Sequence, residues 1–138
     1  KLLAYLAGIV DGEGYIGIKR DMIKGRGLSP VFYERMSVAS TNKELIDLFA
    51  NTFKVGKIYP HRIKKLSKRV YWFWEISNKI AIAVLLQLRP YLRVKKPEAD
   101  IVFAHRATMT QKYAILPDDV IAKRQSLYEQ IKALHSNP

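Results

Sequence analysis

The sequence predicts an α+β fold in which the order αββαββα builds a four-stranded antiparallel sheet, with further helices at the C-terminal end. Three observations carry this. Apolar residues recur at helical spacing in three places: Leu2, Leu6 and Ile9, then Leu45, Leu48, Phe49 and Phe53, then residues 78–88. Between them lie two pairs of short alternating segments, each pair joined by a glycine-bearing or basic turn, as antiparallel hairpins require. And 138 residues with 49% hydrophobic content can bury one core without staples, so the absent cysteines cost the fold nothing. One domain over 1–138 is expected, with a core of about 1–96 and C-terminal helices over about 97–135.

Residues 1–12 read as the first helix, ended by Gly12 and Gly14. A second stripe on it, Ala4, Ala7, Gly8 and Asp11, consists of small residues and one acid, which lets another helix approach closely. The first strand runs from Tyr15 to Arg20, with Ile16 and Ile18 on one side and Tyr15, Gly17 and Lys19 on the other. Gly25, Gly27 and Pro30 mark the turn. Val31 to Ser40 is the second strand, with Phe32, Met36 and Val38 on one parity; Glu34 shares it, so either the strand frays there or the register slips. Thr41 is expected to cap the next helix, with Glu44 three residues on. Lys57 to His61 is an edge strand because it contains Pro60, residues 63–68 form a basic turn, and 69–76 is a fourth, aromatic strand. Helices follow over 78–88, 97–113 and 117–135, with Pro97 and Pro117 each in a first turn. The hydrophobic stretches break well before the 18 residues that a spanning helix needs, and the apolar start runs into Asp11 and Glu13 without a cleavage signature, so neither a membrane span nor a signal peptide is expected.

Twenty-four Lys and Arg against 12 Asp and Glu give a net charge of +12. Residues 54–96 hold twelve of those cations against the lone acid Glu75. A surface of that sign suits a polyanion, and a sheet face that is both basic and aromatic suits a nucleic-acid groove. A basic membrane-surface protein would instead place its cations on an amphipathic helix, and here they fall largely on strands and turns.

Residues 12–17 spell Gly-Glu-Gly-Tyr-Ile-Gly, a literal dinucleotide-binding pattern. The context is inverted, with the helix before and the strand after, so a phosphate would meet the negative helix end. A calcium loop fails too, because the later oxygen ligands are missing. What remains, Leu6-Ala7-Gly8-Ile9-Val10-Asp11-Gly12-Glu13-Gly14, closely resembles the signature of the LAGLIDADG homing endonucleases. Val55-Gly56-Lys57-Ile58-Tyr59, the strand Tyr71-Trp72-Phe73-Trp74-Glu75-Ile76-Ser77 and the block from Leu88 to Lys96 resemble later family blocks in order and spacing, so the resemblance spans roughly residues 2–105.

The resemblance implies a sequence-specific, metal-dependent DNA endonuclease. A single motif implies a homodimer on a long, near-palindromic double-stranded site, with Ala4, Ala7, Gly8 and Asp11 at the two-fold contact; tight packing within one domain is the other reading of the small stripe, and Asp11 is structural, at that interface or as a cap. It places the metal ligand on Glu13, where the family more often has Asp, and a backbone ligand on Gly12; oxygen ligands point to Mg2+, with Mn2+ or Ca2+ able to replace it in binding. It places a basic catalytic residue on Lys95, which is otherwise one more member of the basic run, and a water-organising polar residue on Ser40, with Thr41 and Asn42 as alternatives. Strand parity and charge nominate as DNA contacts Lys19, Asp21, Tyr33, Arg35, Ser37, Tyr59, His61, Arg62, Lys64, Lys65, Arg69, Trp72 and Trp74, the two tryptophans having core packing as their other reading. No role is assigned to His105 or His135. A second function of the same fold is an RNA-binding maturase acting on intron RNA, or a DNA-binding module that no longer cuts; retention of the Glu13 carboxylate favours the nuclease.

Overall fold

The computed structural model describes residues 1–22, 30–62, 69–109, 113 and 115–136. The elements are α1 (Leu2–Glu13), β1 (Gly14–Met22), β2 (Pro30–Ser40), α2 (Lys43–Phe53), β3 (Lys57–Arg62), β4 (Val70–Ser77), α3 (Asn78–Leu88), α4 (Lys96–Ala107) and α5 (Asp118–Ser136), with a single 3-10 turn at Arg89–Tyr91. The predicted αββαββα order and its α+β class are therefore what the chain adopts. The strands form one antiparallel sheet in the order β1-β2-β4-β3, so the two hairpins meet through β2 and β4. Proline-bearing β3 is at an edge, where a missing ladder donor does least harm.

The helices cover one face of the sheet. Ile16 and Ile18 of β1, Phe32, Met36 and Val38 of β2, and Trp74 and Ile76 of β4 point into that side and pack with Leu6, Val10, Phe49, Leu85 and Leu88. Burial of large side chains contributes roughly 1.5–3 kcal/mol each, and Trp74 is the largest of them. Its indole lies 5.1 Å from the Phe49 ring and stacks on Phe53 at 5.8 Å, and its Nε1–H donates to the Val55 carbonyl at 2.9 Å. Gly56 follows at φ +104°, and a Cβ there would run into the indole, so the Val55-Gly56 break seen in the sequence is the corner that lets the tryptophan in.

This packing corrects the readings of Trp72 and Trp74 as DNA contacts. Both share the parity of Ile76 and face the helices, Trp72 with the Lys43 ammonium 5.3 Å above its ring. Glu34 neither frays β2 nor shifts its register: the ladder runs unbroken through Ile18↔Glu34, and the carboxylate is fully buried. It accepts from His105 Nδ1 and from Arg106, whose Nε lies at 3.0 Å, so an acid on the apolar parity is answered by two bases from α4. His105 thus has a structural partner that the sequence reading did not give it. His135 has one too, its Nε2 lying 2.9 Å from the Ile16 carbonyl. The cap of α2 falls one residue later than expected: Asn42 Oδ1 accepts from the Glu44 N–H at 3.0 Å, and Ser40 Oγ accepts from the Asn42 N–H at 3.0 Å, which fixes Asn42 in the cap position. Helix α4 ends at Ala107, short of the expected 113.

Candidate nucleic-acid interface

The sheet face away from the helices is open, and cross-strand pairing fixes what stands on it. Tyr15 is opposite Ser37, Gly17 opposite Arg35, Lys19 opposite Tyr33 and Asp21 opposite Val31. Across the centre, Ser37 faces Glu75, and on the outer pair Lys57 faces Glu75, Tyr59 faces Phe73 and His61 faces Tyr71. Lys19, Asp21, Tyr33, Arg35, Ser37, Tyr59 and His61 therefore share the open face. Ser37 lies in its floor, only 9% exposed. Arg62 belongs to the other parity, at the exposed end of β3 opposite Val70. Lys64 and Lys65 lie outside the described residues. Tyr15, Lys57, Tyr71, Phe73 and Glu75 stand on this face and were not nominated from the sequence. The signal was available: Ile76 fixes the inward parity of β4, which leaves 71, 73 and 75 outward.

The open face is built rather than merely charged. The Lys19 ammonium sits 4.7 Å over the Tyr15 ring, which itself occupies the space that a side chain at Gly17 would need. Burial raises the Tyr15 phenol above its usual range. Tyr59 stacks nearly parallel on Phe73, with ring centroids 5.3 Å apart, and His61 meets the same ring edge-on. Arg35 reaches across β4 to pair with Glu75 and donates to the Tyr59 hydroxyl at 3.2 Å.

The other functional element is the C-terminal end of α1. Glu13 is the last residue of the helix and is exposed; among the described residues it has no hydrogen-bond or ion-pair partner. It lines one cleft together with Ser40, Thr41, Arg69 and Tyr71. Lys95 comes to the same helix end from the segment before α4, its ammonium donating to the Asp11 backbone carbonyl at 2.9 Å. A cation against C-terminal carbonyls offsets the helix dipole, typically by about 0.3–1 kcal/mol. Asp11 accepts from three consecutive backbone N–H groups, those of Arg93, Val94 and Lys95, at 2.8, 3.1 and 3.0 Å. Asp11 is accordingly the clasp that holds the 93–95 segment to α1, and its carboxylate is turned to its own chain rather than to a helix-helix contact.

The small-residue stripe also divides. Ala7 is fully buried in the core of its own chain, because it falls on the same face as Leu6 and Val10; it is not an interface residue. Ala4 and Gly8 are exposed, as are Leu2, Tyr5 and Gly12. Nothing stands within 4 Å of where a Cβ would sit on Gly8 or Gly12, so packing within the chain does not call for glycine at either position. Among the described residues no three His, Asp or Glu side chains gather as a metal site. Among the described residues Glu13 is the carboxylate that stands open beside the Gly12 backbone at this helix end. No described helix is long and apolar enough to cross a membrane.

No family model matches the sequence, and no curated protein matches it. Solved structures do. The homing endonuclease I-CvuI, in complex with the I-CreI target in the presence of 2 mM Mg, superposes with a TM-score of 0.82 at 17% identity, over 99% of this chain and 83% of that one. The archaeal intron-encoded homing endonuclease I-Vdi141I, complexed with DNA, gives 0.80 at 13% identity, over 99% and 86%. The LAGLIDADG meganuclease I-AabMI, bound to uncleaved DNA, gives 0.67 at 14%, over 91% of this chain and 45% of that one. The fold is that of the LAGLIDADG homing endonucleases. In this LAGLIDADG fold the nine signature residues, 6–14, cover the last two turns of α1 and the first residue of β1, which puts the acid pair of the motif at the helix end: one clasped inside the chain, one open.

Proposed function

We propose that this chain is a LAGLIDADG homing endonuclease that acts as a homodimer and hydrolyses both strands of a long, near-palindromic double-stranded DNA site with a divalent metal, Mg2+ by preference. The observation that carries the reading is Glu13, an exposed and unpaired carboxylate at the end of a helix that bears a bare face of small residues. Alone, that carboxylate is poorly placed, since the helix end is already negative. Two of them at a dimer axis would repel further, and binding of a divalent cation would relieve both problems. The I-CvuI, I-Vdi141I and I-AabMI structures, all complexes with DNA, support the substrate.

Glu13 and the Gly12 carbonyl are the groups that would hold the metal; the ion, when bound, supplies a polarised water and charge neutralisation at the phosphate. The chain's own residues supply the rest. Lys95, fixed by the Asp11 carbonyl, brings positive charge to the same helix end, where it stabilises a developing phosphorane. Ser40 and Arg69 share the Glu13 cleft, Ser40 as a water-organising hydroxyl and Arg69 as a phosphate contact. Lys19, Tyr33, Arg35, Tyr59 and His61 face the groove from the sheet.

The test is cleavage selection from a randomised duplex library with Mg2+. Recovered fragments are expected to share a near-palindromic core with double-strand cuts. Binding to intron RNA that DNA competes poorly, with no cutting of any duplex, would instead assign the maturase function.

The dimer has its own test. Gly8→Leu adds a side chain where the chain itself has open space, so the fold should gain about 0.5–1 kcal/mol from removing a mid-helix glycine. The same side chain should block a close helix-helix approach. Sedimentation is expected to show a folded monomer with cleavage lost; a variant that remains dimeric at the parental concentration would refute this interface.

A further inference from the structure

Glu75 is the one acid in the basic stretch of 54–96, and it stands on the open face of the sheet, between Lys57 on one side and the Arg35 guanidinium on the other. On a surface shaped for a polyanion, a carboxylate there weakens every phosphate contact nearby, so attraction alone does not account for it. What it does is fix Arg35. The guanidinium is held at Nη2 by two groups, the Glu75 carboxylate and the Tyr59 hydroxyl, and Tyr59 is itself immobilised by its stack on Phe73. Arg35 Nε is buried and, among the described residues, has no partner, so that side of the fork is seated in the sheet and the two N–H groups of Nη1 are what remain for a ligand on the open face. Its side chain nevertheless keeps 25% exposure on the open face.

A carboxylate partner offsets part of the guanidinium's attraction for a phosphate, so an arrangement that gives up charge to set direction suits a base edge better than a phosphate clamp. Guanine presents two acceptors, N7 and O6, in one plane at the major-groove edge, and the planar guanidinium meets them only when its direction is set. We infer that Arg35 is a guanine-reading residue and that Glu75, with Tyr59, is its positioning group. This rests on the homodimeric DNA-binding reading above and adds to it the base class read at one symmetric pair of positions.

The experiment is binding selection of the full-length chain from a randomised duplex library, with the wild type, Glu75→Gln and Tyr59→Phe compared position by position. The wild type is expected to prefer guanine at one symmetric pair. Glu75→Gln should lower that preference about tenfold, the scale of one well-made arginine–guanine contact, with every other position unchanged and overall DNA affinity equal or higher because a negative charge has gone. Tyr59→Phe keeps the ring and its stack, removes only the hydroxyl, and should relax the same pair by a smaller factor, which keeps the test alive if Glu75→Gln does not fold. A guanine preference unmoved in either variant, or one lost evenly along the whole site, would overturn the assignment, since an even loss is what a merely structural Glu75 produces. A wild type that selects no DNA site would instead overturn the DNA-binding reading itself, a result distinct from specific binding with an unchanged profile.

Discussion

Without added divalent metal, a Glu13→Gln variant should bind the selected DNA site as tightly as the parent, and with metal it should cut that site on the order of a thousandfold more slowly. The substitution keeps the size and removes the charge. Glu13 is exposed and has no partner among the described residues, so the fold should not register the change, and the melting temperature is expected to stay where it was. Binding should hold because the groove contacts come from the sheet. Hydrolysis should not, because an amide is a poor ligand for a hard divalent ion and two weakened ligands meet at the axis. Titration with Ca2+ or Mg2+ in the presence of DNA separates the outcomes: the parent should show a metal-dependent gain in affinity and the variant should not. A variant that still makes double-strand breaks at the parental rate removes Glu13 from the reaction and with it the proposed mechanism.

The route from sequence to that residue was short because the motif is local. Helix, helix end, acid and strand occupy nine adjacent positions, and period and punctuation are enough to place them. The element order was equally legible, since each hairpin and helix declares itself within a dozen residues. What was not legible depends on which side of a strand meets the helices. On β4 both parities are aromatic, Tyr71 and Phe73 on one and Trp72 and Trp74 on the other, so hydrophobicity does not choose between them. Ile76 and Glu75 do, and weighing those two would have moved the tryptophans inward and brought Phe73 and Glu75 out. Ala7 was misplaced for a related reason. A stripe of small residues was read as one face, whereas the 100° step per residue turns Ala7 toward Leu6 and Val10 and leaves Ala4 and Gly8 outside. Asp11 could not have been given its partners at all, because the three N–H groups it accepts from lie more than 80 residues away.

Glu34 shows the same limit and carries the other large effect. An acid on an apolar parity is a statement that a base must come from elsewhere, but which base depends on α4 crossing behind β2. Burial pushes the Glu34 carboxyl up, and the bonds from His105 and Arg106 outweigh it and hold the carboxyl below its ordinary range. The Arg124 guanidinium of α5 also interacts with the Glu34 charge while donating to Thr108 Oγ1 at 2.9 Å. Arg106→Ala removes one partner and leaves the carboxylate buried and half-compensated, which should cost about 3 kcal/mol at neutral pH.

The pH dependence follows from the direction of the shift. A carboxyl whose folded pKa lies below its unfolded value, about 4.3 for Glu, contributes stability that is fully present above that value and is lost as the pH falls through the folded one. In Arg106→Ala the force lowering the folded pKa is weaker, so the variant lacks that contribution at pH 7. As the pH falls through the folded pKa the carboxyl gains its proton, and the parent loses the same advantage. Urea unfolding at pH 7 and over a series of falling pH values should therefore show a gap between parent and variant that is wide at pH 7 and narrows in acid. An equal gap throughout would mean that Arg106 acts through packing of its stem and not through the charge on Glu34.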